Sequence, residues 1–168
     1  MSFAPDVTEQ LARARADLRM GVPVVLSEGE SASLVLAAET LSAQRLADVL
    51  ALGGAPVLAI TARRAETLKA RAYDGSLARV LLPEGATPAW VQSIADPADD
   101  LRAPMKGPLR TARGGDTRAH QAAIDLVKAA RMLPAAVVLD LPQGANFAAT
   151  YGLTRIDLVE AAPILARR

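Results

Sequence analysis

The chain has 168 residues, 51% of them hydrophobic and 22% charged, which suits one globular domain with a real core and excludes an intrinsically disordered composition. Lys and Arg total 19 against 18 Asp and Glu, so no bulk basic field holds a polyanion, and aromatics at 3% leave few stacking platforms for bases; nucleic acid is not an expected partner. There is no cysteine and only one histidine, His120, which removes disulfides, thiolate nucleophiles and cysteine-bound zinc and weakens any histidine-based metal site.

In chain order, Asp6 and Glu9 form a capping-box pattern ahead of Leu11, Ala14 and Leu18, so a first helix is expected, ending near Gly21. Apolar runs at 23–26 and 34–37 read as a hairpin-like pair of strands separated by a polar loop at 27–31. Leu41, Leu46, Val49 and Leu50 make a helical stripe that stops at Gly53-Gly54. A strand at 56–60 follows, and Thr61 caps a helix running through Leu68. A strand at 79–82 precedes a helix at 88–95, opened by Thr87-Pro88 because proline at the first helical position loses no needed N–H.

The stretch 96–115, rich in Pro, Gly, Asp and Arg, reads mainly as loop. The longest helical pattern runs over 117–132, with Pro134 marking its end. A strand at 135–139 and helical candidates at 146–151 and 157–165 complete the chain, the latter two flanking Leu153-Thr154-Arg155-Ile156. Helices and strands alternate, and several strands are apolar without polar alternation. Such strands are buried on both faces, so the expected fold is a single three-layer α/β domain, a mixed twisted sheet covered by helices. No charged-then-apolar leader and no apolar run of spanning length is present, so a cytoplasmic location without membrane contact is expected.

Particular strings narrow this further. Arg19-Met20-Gly21-Val22-Pro23-Val24-Val25, the acidic loop after it and Leu34-Val35-Leu36-Ala37-Ala38-Glu39 resemble the opening of the 3,4-dihydroxy-2-butanone 4-phosphate synthases. Val57-Leu58-Ala59-Ile60 leading into Thr61-Ala62-Arg63-Arg64-Ala65-Glu66-Thr67-Leu68 resembles their next strand and helix, and Ala122-Ala123-Ile124-Asp125-Leu126 through Val138 their late segment, so that the resemblance spans about residues 9–140. Arg64-Ala65-Glu66-Thr67-Leu68-Lys69, Ala95-Asp96-Pro97 and Pro104-Met105-Lys106-Gly107-Pro108-Leu109 are similar to a degenerate form of this domain that precedes some bacterial GTP cyclohydrolase II sequences. The cyclohydrolase domain itself needs a cysteine-bound zinc, so the chain is expected to be at most the preceding domain, associated with a cyclohydrolase in cis or in trans.

The resemblance implies Mg²⁺ chemistry on ribulose 5-phosphate, carried by an acidic first loop and a Gly-His-Thr-Glu string. This sequence departs from both. In the loop only Glu28 and Glu30 remain, among Ser27, Gly29, Ser31, Ala32 and Ser33. One alignment puts Asp116 at the histidine and Arg118 at the glutamate; a second, anchored on Ala123-Ile124-Asp125-Leu126, puts Ala119 and Gln121 there. The family's cysteine-bearing strand reads Gly53-Gly54-Ala55-Pro56-Val57, and Lys106 stands for the histidine of its Pro-Gly-His turn. His120 is expected to pack or lie at the surface of its helix, and Asp125 to serve the helix rather than catalysis.

Three readings follow. The first is a catalytically degenerate synthase-like domain of riboflavin biosynthesis, with no catalytic residue and no cofactor, that supports GTP cyclohydrolase II structurally, by dimerisation or by regulation. The second is a Mg²⁺-dependent synthase using Glu28, Glu30 and Asp116 as residual metal ligands. The third is nucleotide or RNA binding. Arg102, Lys106, Arg110, Arg113 and Arg118 form a local basic concentration suited to an anion such as a phosphate-bearing small molecule, or to a protein partner. A homodimer is expected, with Ala129-Ala130 beside Leu126 and Leu133 as a surface allowing close packing.

Overall fold

The computed structural model describes residues 3–101 and 108–166. Seven strands form one sheet in the order β5-β4-β3-β6-β2-β1-β7. They are β1 (Val24–Glu28), β2 (Ser31–Ala37), β3 (Val57–Thr61), β4 (Leu77–Leu81), β5 (Thr111–Ala112), β6 (Ala135–Asp140) and β7 (Arg155–Asp157). Every neighbouring pair is antiparallel except β1 and β7, which run parallel. The helices are α1 (Val7–Arg19), α2 (Ala43–Ala51), α3 (Ala62–Thr67), α4 (Pro88–Ala95), α5 (Arg118–Ala129), α6 (Asn146–Tyr151) and α7 (Leu158–Leu165).

The three-layer expectation holds, and the strand sequences explain it. On β6, Ala135, Val137 and Leu139 face a core built with α2, α3, α4 and α6, whereas Ala136 and Val138 face a second core built with α1, α5 and α7. A central strand that is apolar at every position thus feeds both layers, as the alternation of side chains across a strand requires. Helix α1 buries Leu11, Ala14 and Leu18, and its capping box is complete: Asp6 accepts from the Glu9 N–H, and the Glu9 side chain accepts from the Asp6 N–H. Thr87 caps α4 through the Trp90 N–H, with Pro88 at the helix start.

Four expectations change. The loop foreseen at 27–31 is mostly strand: β1 and β2 pair through Glu28↔Ser31, leaving Gly29-Glu30 as a two-residue turn with Gly29 at φ +60. Ser27 suits a buried ladder because it is hydrogen-bonded, its Oγ donating to the Ile156 carbonyl at 3.4 Å. Within the expected loop at 96–115, Pro97–Asp99 is a short 3-10 helix and Thr111–Ala112 pairs with β4 as the edge strand. Residues 155–157, flanked by the two late helices, add β7 beside β1. The helix expected over 117–132 ends at Ala129, and Arg131 takes a positive φ of 62.

Of the expected dimer surface, Leu126 and Ala130 are 0% and 1% exposed and so unavailable to a partner, whereas Ala129 and Leu133 are half-buried. Among the described residues, no helix is long and apolar enough to cross a membrane.

Candidate functional site: an acidic cleft at the hairpin end of the sheet

The C-terminal end of β1, the start of β2, the end of β6 and the first turn of α5 meet around a cleft of about 600 Å³. Its polar lining includes Glu28, Ser33, Asp116, Arg118, His120 and Asp140. The hairpin turn is pinned from outside. Gly144, at φ +69, lies so close to the Glu30 carbonyl that a Cβ there would sit 2.8 Å from its oxygen.

Arg118 organises the charge. Its Nη1 reaches Glu28 Oε2 at 2.9 Å, while Nη2 and Nε donate to Asp116 Oδ2 at 2.7 and 2.9 Å. The Arg118 backbone N–H also donates to Asp116 Oδ1, at 2.9 Å. Hydrogen bonds from the Arg118 side chain and then its backbone hold the Asp116 carboxyl below the usual carboxylate range. The same pairing raises the Arg118 guanidinium above its already high value.

On the β2 and β6 side of the cleft, Ser33 Oγ donates to Asp140 Oδ1 at 3.3 Å. Of the two places expected for His120, the structure takes packing: 8% of its surface is exposed, and its buried Nδ1 has no hydrogen-bond partner among the described residues. Burial, then the nearby Arg79 cation, lowers the His120 pKa from the ordinary 6.5, with Asp140, Asp74 and Asp116 opposing. Arg79 is held by Asp74 at 2.8 Å and donates to the Gly114 carbonyl at 2.6 Å, tethering to β4 the loop that leads into Asp116.

Of the residual metal ligands, Glu28 and Asp116 share the cleft but are joined through a guanidinium; Glu30 is exposed on the turn and does not line it. Among the described residues no group of three or more His, Cys, Asp or Glu is arranged to hold a metal ion. The donor set does not fit Mg²⁺, whose oxygen ligands would have to give up Arg118 first. Both alternative alignments reach this cleft, since Asp116, Arg118 and Ala119 all border it. Gln121 does not: it accepts from Ser76 Oγ at 2.7 Å and donates to Asp125 at 3.0 Å, which gives Asp125 the helix role expected of it.

Among the described residues, the basic concentration is dispersed. Arg102 and Lys106 lie outside the described residues. Arg113 stacks over the Tyr73 ring at 5.2 Å, and Arg110 borders a different and larger groove of about 800 Å³, lined chiefly by apolar residues such as Leu81, Leu82 and Trp90. That groove has the greater volume, but more titratable side chains line the acidic cleft. Ser33 and Asp140 were not singled out from the sequence. The available signal was an acid closing an apolar strand just before Pro142, where strand ends commonly border ligand sites.

No protein-family model matches the chain. A GTP cyclohydrolase-2 from Azospirillum brasilense is 32% identical over 128 residues, covering 75% of this chain and 33% of the relative. The chain thus spans about a third of the length of that curated relative. Among solved structures, the 3,4-dihydroxy-2-butanone 4-phosphate synthase of Candida albicans superposes with a TM-score of 0.67 at 18% identity, over 92% of this chain and 96% of that one. A synthase in complex with two magnesium ions gives 0.63 at 15% identity, over 94% and 96%. A two-domain synthase from A. baumannii gives 0.61 at 18%, over 88% and 55%. The chain therefore has the fold of the 3,4-dihydroxy-2-butanone 4-phosphate synthases and shares sequence with a GTP cyclohydrolase-2.

Proposed function

We propose that this is a synthase-fold domain of riboflavin biosynthesis that does not itself turn over ribulose 5-phosphate and that serves a GTP cyclohydrolase II, as a dimeric or regulatory module. The observation that carries the reading is the position of Arg118. Where a synthase bound to magnesium needs carboxylates open to the ion, this chain pairs Glu28 and Asp116 with a fixed cation. Without the ion, negative charge developing on an enediolate has no equivalent stabiliser. The cyclohydrolase relative supports the association, because its matched segment is only part of a longer protein.

The test is twofold. Purified protein is incubated with ribulose 5-phosphate and Mg²⁺, and dihydroxybutanone phosphate is measured against a denatured control; no excess product is expected. Mg²⁺-dependent turnover abolished by Glu28→Gln would establish the alternative, an active synthase, which the near full-length match to synthases favours. Association is tested by titrating a GTP cyclohydrolase II domain against the wild type and against Arg110→Ala/Arg113→Ala. Weaker binding by the double variant supports a partner role for this basic stretch, and equal binding refutes it.

A further inference from the structure

On the face of the sheet covered by α2, α3, α4 and α6, a further cleft opens between α2 and α6, about 490 Å³ in volume and sharing no lining residue with the acidic cleft. Leu34 and Leu36 of β2 lie at its base, 3% and 2% exposed, and Leu52 and Tyr151 at its mouth, 38% and 63% exposed. Phe147 and Tyr151, in a chain with only two Phe and two Tyr, stand one turn apart on α6 with ring centroids 4.7 Å apart, so the cleft has an aromatic wall. A mostly apolar space of this size with a few polar groups suits a small molecule. Its two charged residues are of opposite sign and do not satisfy each other. Arg45 and Asp48 lie one turn apart on α2; the Asp48 carboxylate accepts from Gln44 Nε2 at 2.9 Å, whereas the half-buried Arg45 guanidinium makes no hydrogen bond or ion pair among the described residues. A partly desolvated guanidinium without an acceptor is destabilising, and an anionic group beside it offsets that cost.

We propose that this cleft binds a zwitterion with an apolar body, an α-amino acid bearing an aromatic side chain: its carboxylate meets Arg45, its ammonium meets Asp48, and its ring lies against Leu52, Phe147 and Tyr151. A carboxylate and an ammonium on one carbon match two opposite charges on adjacent turns, and the aromatic wall favours a ring over an aliphatic body. The competing occupant is a second copy of the chain, since a two-fold axis would set Arg45 against Asp48 in both directions. A stable contact of that kind needs about 800 Å² from each side, whereas among the described residues Leu52 and Tyr151 are the only large apolar side chains exposed at this cleft. This binding stands apart from the proposed function, because neither ribulose 5-phosphate nor a cyclohydrolase enters it.

L-phenylalanine is the probe, followed by calorimetry and by the shift in Tm, with circular dichroism confirming the fold of each variant. Wild type is expected to bind it with a Kd of about 1 mM or below, the strength typical of roughly a dozen heavy atoms. Phenylpropionate, which lacks the ammonium, and phenethylamine, which lacks the carboxylate, should each bind at least about tenfold more weakly. Arg45→Met and Asp48→Asn should each weaken L-phenylalanine by about tenfold, since each removes one charge-assisted contact. The proposal is overturned if L-phenylalanine does not bind at about 10 mM, if Arg45→Met binds it as wild type does, or if either analogue binds as tightly as the amino acid. It is also overturned if analytical ultracentrifugation shows a dimer that Arg45→Asp or Asp48→Arg alone dissociates and Arg45→Asp/Asp48→Arg restores, because a second copy then holds these charges.

Discussion

Replacing Arg79 by methionine tests the internal frame behind the cleft. Arg79 and Asp74 form a two-pronged ion pair, Nε to Oδ2 at 2.8 Å and Nη2 to Oδ1 at 3.0 Å, with side chains only 10% and 6% exposed. Arg79→Met strands a carboxylate that water barely reaches and frees the Gly114 carbonyl. Breaking a buried pair on one side costs about 3–5 kcal/mol, and because Asp74 lies on the connection between α3 and β4, not within either element, we expect about 3. In a chain of this size that lowers Tm by about 6–12 °C.

Urea unfolding at pH 7, followed by far-ultraviolet circular dichroism, measures the loss. Adding Asp74→Asn removes the stranded charge, so the double variant should recover roughly 2 kcal/mol relative to additivity. Amides of 114–117 should also exchange faster, since their tether to β4 is gone. A cost below about 1 kcal/mol, or strict additivity of the two substitutions, would refute the claim that this pair holds the loop.

The pH dependence has a definite sign. His120 is depressed below 6.5 in the folded chain, so the unfolded chain binds the proton first, and stability falls as pH drops from 6.5 toward the folded value. His120→Gln should flatten ΔG of unfolding across that window, leaving the steeper decline below 3.8 to which Asp116 contributes; an unchanged slope between pH 6.5 and 5 would contradict the assignment. Gly144→Ala combines a left-handed backbone with a contact of 2.8 Å to the Glu30 carbonyl and should cost about 1–3 kcal/mol by thermal melting. Arg110→Ala/Arg113→Ala should instead leave Tm nearly unchanged, within about 0.5 kcal/mol in stability, apart from the loss of the Tyr73 stacking contact.

Local chemistry written in neighbouring residues was legible from the sequence. The Asp6/Glu9 capping box, the Thr87-Pro88 helix start and the two-faced apolar strands each depend on side chains within one turn or one strand, so pattern alone determined them. That the chain carries a single histidine, and only Glu28 and Glu30 as acids in the first loop, was likewise readable residue by residue. What the sequence left open involves partners far apart in the chain. A serine-rich stretch reads as loop until the Ile156 carbonyl, 129 residues away, accepts from Ser27. Residues 155–157 carry too few apolar positions to announce a strand and become one only because β1 offers an edge. Arg118 looked like one of five clustered cations; packing α5 across the sheet brought it to Glu28, 90 residues earlier. Charge in one segment cannot reveal which carboxylate it will meet, because that choice is made by the tertiary layers that bring β1, β6 and α5 to one end of the sheet.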